Sequence, residues 1–500
     1  MIIARKLSCC RNANCVCAVI AVLGTATACQ AYVPDDPWTV TASGTVASAG
    51  KPITLTWSFA PDGTQIPGEG ASDLIDYFDD LFNVTTSSTN LTQRPWFPLF
   101  EQSFDRWSQL GGITFVYEPN DNGSQLQSSS GIRGVRGDVR IGGAFVDGSS
   151  GTLAYTWLPN SGDVVIDTGE TNFYSNSTNN YRQLRNTIMH ELGHAFGLLH
   201  VESSTEELLM EPFINTSFDG PQLDDIRGIQ GLYGDVYEKS NNGLGNGTYL
   251  RATTLGSLSV GGSLSLGSDA ATGQSVLANE TDFVSITDDA DVDYFSFAIS
   301  SAATLDLLLT PQGGVFNQGV EGGPQSSFNA NARNDLSLAV FGPNGTSLLG
   351  LANDNGAGLT ESLNDLQLST PGQYYVRVQG ATDSVQLYQL DLSLAQALNV
   401  LGGDFNDDGV VDGEDFLVWQ RSYGFSGIGL PADGNGDGTV NTLDLDLWED
   451  NYGQSGVLST LVTVPEPDSS LYLVVGILLL VCRRRHREPS LHTETTPFPI

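Results

Sequence analysis

Cysteine is nearly absent from the body of this 500-residue chain. Five of the six cysteines lie between Cys9 and Cys29, and the sixth is Cys482 near the other end. No disulfide framework can therefore connect the residues between them, which must rely on apolar cores or bound metals for stability. The chain is too long for one core, so we expect two to four domains.

Basic residues are also scarce. The chain has 21 lysine and arginine residues against 58 aspartate and glutamate residues, a formal net charge of −37 at pH 7. Such acidity argues against nucleic acid as a partner. It favours solubility and the binding of divalent cations.

Histidine is the third scarce residue, and three of the five histidines lie in one stretch, HELGHAFGLLH, which begins at His190. His190 and His194 are one helical turn apart, so both imidazoles can reach one ion. Gly197 lets the chain leave the helix in a left-handed conformation, which brings His200 round as a third ligand. Three nitrogen ligands leave the fourth position of zinc for water, and Glu191 is placed to act as the general base of a hydrolase.

The pattern HExxHxxGxxH resembles that of the metzincin zinc metalloproteases. That group also has a methionine in a tight turn beneath the zinc, and LLMEP places Met210 shortly after the third histidine. The order of strands and helices over residues 32–235 resembles the matrixin branch, which implies an α+β domain with a mixed twisted sheet, an active-site helix and one catalytic zinc. By the same resemblance, a peptide substrate would pair with the sheet edge at Leu153, Ala154 and Tyr155.

The matrixin resemblance also implies a calcium site in the same domain. Carboxylate and carbonyl oxygens are the ligands that calcium prefers. The candidate ligands are Asp147, Gly148, Ser150, Thr152, Asp167 and Glu170. The alternative is an ordinary turn at Asp147 with solvated carboxylates nearby.

The next part of the chain changes in character. Residues 236–250 are rich in glycine and asparagine and predict a linker. Short alternating apolar stretches separated by turn residues then predict an all-β sandwich over residues 251–398. Its stretches DVDYFSF, LAVFGPNG and PGQYYVRV resemble the pre-peptidase C-terminal domain of secreted bacterial proteases. We expect this domain to act as a spacer or a weak binder.

Two copies of one loop pattern, DFNDDGVVDGED and DGNGDGTVNTLD, lie within residues 401–455. Both have oxygen-bearing side chains and a glycine at the positions that a calcium loop of the EF-hand type requires. The pair resembles a type I dockerin, which implies a small α-helical calcium-binding module and a possible cohesin-like or envelope partner. An acidic linker is the alternative. The predicted calcium ligands are Asp404, Asn406, Asp408, Asp412, Asp415, Asp433, Asn435, Asp437, Asn441 and Asp444.

Both ends of the chain have targeting patterns. Residues 1–31 predict a secretory signal peptide, with a basic start, an apolar centre and small residues after it. Residues 464–488 contain VPEP, an apolar run and an arginine cluster, which resemble the PEP-CTERM sorting signal. The apolar run is shorter than the ~20 residues of a usual membrane helix, but its basic flank favours a C-terminal membrane anchor. A tail, 489–500, follows it.

Together these patterns predict an exported, surface-sorted zinc metalloendopeptidase that cleaves peptide bonds in extracellular proteins, with Glu191 as general base. The C-terminal segment would anchor it transiently to the membrane at the cell surface or outer envelope. The alternative is a catalytically inactive surface scaffold that acts through its β-sandwich and dockerin-like modules. The presence of Glu191 favours the enzyme, because an inactive site has no evident need for that carboxylate.

Overall fold

The computed structural model describes residues 6–10, 32–396 and 402–455, apart from residues 47, 128–129, 271–272, 407, 428–429 and 436. The predicted sorting segment, the tail and most of the predicted signal peptide lie outside the described residues. The chain divides into two compact units, Met1–Ala397 and Leu398–Ile500. Among the described residues, no helix has the length and apolar character needed to cross a membrane.

The first part of the larger unit contains a mixed six-stranded sheet and several short strands outside it. Its strands are β1 (Lys6–Cys10), β2 (Val33–Pro34), β3 (Ile53–Phe59), β4 (Gln65–Ile66), β5 (Gly70–Ala71), β6 (Ile113–Tyr117), β7 (Val139–Ala144), β8 (Thr152–Trp157), β9 (Val164–Asp167), β10 (Leu198–Leu199) and β11 (Val201–Ser203). Six of them form one sheet in the order β1-β8-β9-β7-β3-β6. The pairs β3–β6, β3–β7 and β7–β9 are parallel, whereas β8 is antiparallel to β9 and to β1. All residues of β7 and β9 are buried, as expected for strands covered on both faces.

Helices cover this sheet. They are α1 (Leu74–Leu81), α2 (Phe97–Leu110), α3 (Thr171–Tyr174), α4 (Arg182–Phe196) and α5 (Leu223–Tyr233), with a 3-10 turn at Leu91–Gln93. The apolar residues of α2 recur at helical spacing, and Phe100, Phe104 and Trp107 are fully or almost fully buried. The Trp107 indole N–H donates to the Met189 carbonyl at 2.9 Å, which ties α2 to α4.

The segment that the sequence predicts as a linker packs closely on its surroundings. It contains short turns of helix at Val236–Lys239, α6 (Ser240–Gly243) and Tyr249–Arg251. Asp235 accepts a hydrogen bond from the Ser285 backbone N–H at 3.1 Å, and the Lys239 amino group donates to the Ser108 carbonyl. These contacts join the sheet-and-helix part to the part that follows, so both belong to one compact unit.

The second part of the larger unit is all β. Its strands are β12 (Thr253–Ser257), β13 (Ser263–Leu266), β14 (Val284–Ile286), β15 (Val292–Ile299), β16 (Ala303–Pro311), β17 (Val315–Val320), β18 (Ser326–Asn329), β19 (Leu336–Phe341), β20 (Leu348–Ala352), β21 (Glu361–Leu368), β22 (Gly372–Gly380) and β23 (Gln386–Gln396). One sheet has the order β12-β15-β22-β19-β20, and the other has the order β13-β23-β16-β21 with β14 on β23. Alternate residues of these strands form a shared apolar core.

One hairpin does not follow the two large sheets. β17 and β18 form a separate three-stranded sheet with β11, in the order β11-β17-β18. A strand of the first part of the unit, β11, therefore pairs with a hairpin of the second part.

In the part that the structure describes, the smaller unit contains two helices, α7 (Gly413–Ser422) and α8 (Thr442–Asn451). Two reciprocal hydrogen bonds connect the halves: the Trp419 indole donates to the Asn441 carbonyl at 2.8 Å, and the Trp448 indole donates to the Asp412 carbonyl at 2.7 Å. The internal repeat in the sequence thus corresponds to two similar loop-helix halves that bind each other in the same way.

Candidate metal centre and active site

The end of α4 positions the three clustered histidines. Gly197 caps the helix with a φ of +102°, a conformation that side-chain-bearing residues rarely adopt. Two carbonyls of the last turn accept hydrogen bonds from side chains outside the helix. The Trp38 indole N–H donates to the Ala195 oxygen at 2.8 Å, and the Tyr233 hydroxyl donates to the Phe196 oxygen at 2.7 Å. The turn after α4 is therefore rigidly held.

The three imidazoles converge as the sequence predicts. His200 Nε2 lies 3.2 Å from His190 Nε2 and 3.0 Å from His194 Nε2. Tetrahedral zinc with Zn–N distances of ~2.0–2.1 Å separates its ligand nitrogens by roughly 3.3 Å, close to what is found here. The two helix histidines are fully buried and His200 is 3% exposed.

In each imidazole, Nε2 points to the centre and Nδ1 points away from it, so the partner of the outer nitrogen Nδ1 determines whether Nε2 has a free lone pair. His190 Nδ1 lies 2.6 Å from the Leu209 carbonyl and His194 Nδ1 lies 2.6 Å from the Leu198 carbonyl. A carbonyl oxygen only accepts, so each Nδ1 carries the proton and each Nε2 presents a lone pair to the centre. Burial, followed by repulsion from His200, lowers the pKa of His190 to about 3, and burial likewise lowers the pKa of His194 well below its ordinary value. Neutral imidazoles with converging lone pairs fit a zinc ion.

The predicted general base lies beside this centre. Glu191 is fully buried, and its Oε2 accepts a hydrogen bond from the Thr156 hydroxyl at 2.7 Å. Thr156 is on β8, the strand that the sequence predicts to meet the substrate. The strand therefore also orients the carboxylate.

Met210, predicted to form a turn beneath the zinc, is in close contact with α4. A Cβ atom at Gly193 would come within 2.4 Å of Met210 Sδ, so the helix and the methionine turn are in tight contact. Asp225 of α5 holds the turn by accepting hydrogen bonds from the backbone N–H groups of Leu209 and Met210, at 2.8 and 3.2 Å. Burial raises the pKa of Asp225 to about 7.

The predicted substrate strand, β8, is the second strand from the edge of the main sheet, and only β1 lies outside it. Leu153, Ala154 and Tyr155 are fully buried in β8. On its outer side, β8 pairs antiparallel with the backbone of Lys6–Cys10, in the register Ser8 to Tyr155. The outer edge of β8 can therefore accept an extended strand.

The predicted calcium ligands of this domain lie in and around the loop before β8 and after β9. Asp167 accepts a hydrogen bond from the Gly148 backbone N–H at 2.9 Å, and Asp147 accepts from the Thr152 N–H and hydroxyl at 2.9 and 3.0 Å. Glu170 is fully buried, and its Oε1 accepts from the Ser150 backbone N–H. These carboxylates stabilise the loop, and calcium there stays a prediction.

The ten predicted ligands of the smaller unit lie in its two loops and in the first turns of the helices that follow them. The first aspartate of each loop accepts from the backbone N–H of the loop glycine: Asp404 from Gly409 and Asp433 from Gly438, both at 2.8 Å. Asp415 and Asp444, at the last ligand positions, form capping boxes at the starts of α7 and α8. The two loops share one local geometry, and calcium in them also stays a prediction.

Three contributors to the centre are not evident from the sequence. Thr156 and Asp225 are described above, and the third is Glu321, whose carboxylate lies 2.9 Å from His200 Nδ1. All three are far from the motif in sequence and carry no recognisable pattern. Only the capping position of Asp225, three residues after Gln222 at the start of a helix, gives a local signal.

The three converging histidines beside a buried carboxylate are the equipment of a metal-dependent hydrolase. Comparison with known proteins supports this: residues 79–234 match the family model described as Matrixin. This part of the chain is accordingly similar to matrixin domains.

Individual relatives agree with the family match. The chain is 32% identical to the hatching enzyme of Paracentrotus lividus over 155 residues, which covers 31% of this chain and 24% of that protein. It is 34% identical to metalloendoproteinase 2-MMP of Arabidopsis thaliana over 144 residues, covering 27% of this chain and 36% of that one. It is 38% identical to matrix metalloproteinase-25 of Mus musculus over 144 residues, covering 27% and 22%. The chain thus spans little more than a third of these relatives' length at most.

Among solved structures, the pre-peptidase C-terminal domain of a collagenase from Bacillus anthracis matches 29% of this chain and 95% of that chain. The sequence identity is 12% and the TM-score is 0.16.

Proposed function

We propose that this protein is a zinc-dependent endopeptidase. The observation that carries the proposal is the convergence of three buried imidazole Nε2 atoms next to the buried carboxylate of Glu191. The match of residues 79–234 to the matrixin model supports the same conclusion.

His190, His194 and His200 would hold the zinc ion. Zinc, when bound, supplies a Lewis acid that makes a water molecule more acidic and polarises a carbonyl group. Glu191 would accept a proton from that water and return it to the leaving nitrogen of the peptide bond. The Thr156 hydroxyl, by its hydrogen bond to Glu191, limits the orientations of the carboxylate.

The substrate in this proposal is an extended segment of a protein or peptide that adds to β8. Backbone pairing recognises any extended chain, and side-chain pockets select among sequences. The antiparallel pairing of Lys6–Cys10 with β8 supports this arrangement. Removal of the predicted signal peptide, residues 1–31, would leave the edge open for substrate.

The remaining parts extend the proposal beyond the catalytic domain. We propose that the protein is exported and retained at the cell surface by its C-terminal segment, and that calcium binds the two loops of the smaller unit. The similar loop geometry around Asp404 and Asp433 supports calcium there, because hard oxygen ligands suit that ion. A cohesin-like partner and the calcium site near Asp167 belong to the same proposal.

The decisive experiment compares the unaltered protein with Glu191→Gln. Zinc content and the cleavage of a fluorogenic peptide are measured with and without a chelator. We expect both proteins to bind one zinc ion per chain, and the variant to cleave ~10²–10⁴-fold more slowly. Glu207→Gln removes the same charge from an exposed position and serves as the control. Equal cleavage by Glu191→Gln, or zinc binding without cleavage by the unaltered protein, would rule the proposal out, and the latter result would favour an inactive scaffold.

A further inference from the structure

The three zinc-binding histidines of the proposed function differ in how their outer nitrogens are held. His190 and His194 use backbone carbonyls of Leu209 and Leu198, which lie close to them in the chain. His200 Nδ1 instead lies 2.9 Å from Oε2 of Glu321, which is 121 residues away in the β-sandwich part of the unit. The last ligand of the centre is therefore oriented by a charged group from a different part of the fold.

The position of Glu321 follows from strand pairing. β11 begins one residue after His200 and pairs antiparallel with β17, with Val201 opposite Val320. Continuing this register by one residue places His200 opposite Glu321. Side chains directly opposite in an antiparallel pair lie on the same face, ~4.5–5.5 Å apart at Cβ, which is the reach needed for this hydrogen bond.

The hairpin is anchored independently of this contact. On β17, the Gln318 side-chain amide donates to Asp224 of α5 at 2.8 Å. On β18, the Phe328 ring packs under the guanidinium of Arg227, which is also on α5, at 4.8 Å. Both strands of the hairpin are thus attached to the helix that holds the methionine turn. This attachment presents Glu321 to His200 in a fixed position.

We propose that Glu321 is a positioning residue for the metal centre, and that the β17–β18 hairpin makes the sandwich a structural part of that centre. An acceptor on Nδ1 fixes the ring orientation and tautomer of a ligand histidine and makes its other nitrogen a stronger ligand. A carboxylate does this more strongly than a carbonyl, because the hydrogen bond is charge-assisted. The spacer role predicted for the sandwich from sequence leaves this contribution out. The proposal rests on the proposed function for the identity of the ion.

The test uses the full chain and the variants Glu321→Gln, Glu321→Ala and, as the control, Glu207→Gln. Zinc affinity is measured by competition with a chelator, and ligand geometry is measured from the visible absorption of the cobalt-loaded protein. We expect Glu321→Ala to lose ~10- to 100-fold in zinc affinity. Glu321→Gln should lose less, because its amide oxygen still accepts from Nδ1 without the charge. The control should match the unaltered protein.

Further measurements separate this role from a general effect on folding. At saturating zinc, Glu321→Gln should recover most of its cleavage rate, and its metal-free unfolding temperature should equal that of the control. An altered cobalt spectrum in Glu321→Ala supports the proposal. If the unaltered protein binds zinc but both Glu321 variants bind it equally well, the role of Glu321 is wrong while the proposed function stands. If the unaltered protein does not bind zinc at all, the proposed function itself fails.

Discussion

The hydrogen bond between Thr156 and Glu191 allows a sharp test of how the sheet orients the carboxylate that we propose as general base. Thr156→Val replaces the hydroxyl with a methyl group of similar size at a fully buried position, so the packing of β8 is retained. A hydrogen bond to a charged acceptor contributes about 1.5–3 kcal/mol. If the carboxylate needs this orientation to accept the proton, the same free energy lowers kcat about 10- to 150-fold.

The matched control is Thr156→Ser, which keeps the hydroxyl and loses a methyl group. Peptide cleavage by both variants is compared at saturating zinc, and zinc content is measured on the same samples. We expect the serine variant to keep nearly the unaltered cleavage rate and the valine variant to show the loss in kcat. Both should retain zinc, because the structure describes no hydrogen bond between Thr156 and a histidine of the centre. A valine variant within twofold of the serine variant would refute the orienting role.

Three other predictions concern the methionine turn, calcium and pH. Gly193→Ala brings a Cβ atom to 2.4 Å from Met210 Sδ, and overpacking of this kind costs about 1–3 kcal/mol of stability. The unfolding temperature and the retention of zinc should therefore both fall. An unchanged unfolding temperature would contradict the tight contact. Calcium should raise the unfolding temperature of the smaller unit, and Asp404→Asn should reduce that increase, which calorimetry with calcium or chelator can test. Burial raises the pKa of Glu238 to about 7 and that of Asp235 in the same direction. The folded state then binds more protons than the unfolded state, so stability in chelator should fall as pH rises from about 4.5 through 7, and Glu238→Gln should flatten this dependence.

The metal centre is the part of the molecule that local sequence predicts best. The spacing of His190, Glu191 and His194 follows from the helical repeat, and the turn at Gly197 follows from the conformational freedom of glycine. Met210 is in close contact with Gly193 of the same helix. These relations span at most about twenty residues, so the pattern of the chain alone specifies them.

The linker and the sandwich show where such reasoning stops. Composition predicts a linker over residues 236–250 and a spacer or weak binder after it. It gives no sign that Asp235 accepts a hydrogen bond from Ser285 or that Lys239 donates one to Ser108. Glycine and asparagine indicate turns wherever they occur, whether the turn is exposed or packed. The docking of two parts depends on surfaces assembled from distant segments, and composition does not describe those surfaces.

The sequence by itself determined which side chains could bind a metal, where the helix that carries His190 and His194 ends, and which stretches alternate as strands. These are consequences of short-range periodicity and backbone preference. Only the tertiary structure decided that Thr156 holds the catalytic carboxylate, that Asp225 holds the methionine turn, and that Glu321 reaches His200. The physical reason is that each of these hydrogen bonds joins segments that are distant in the chain. Strand register and helix packing bring those segments together, and the local sequence around each residue contains no sign of either.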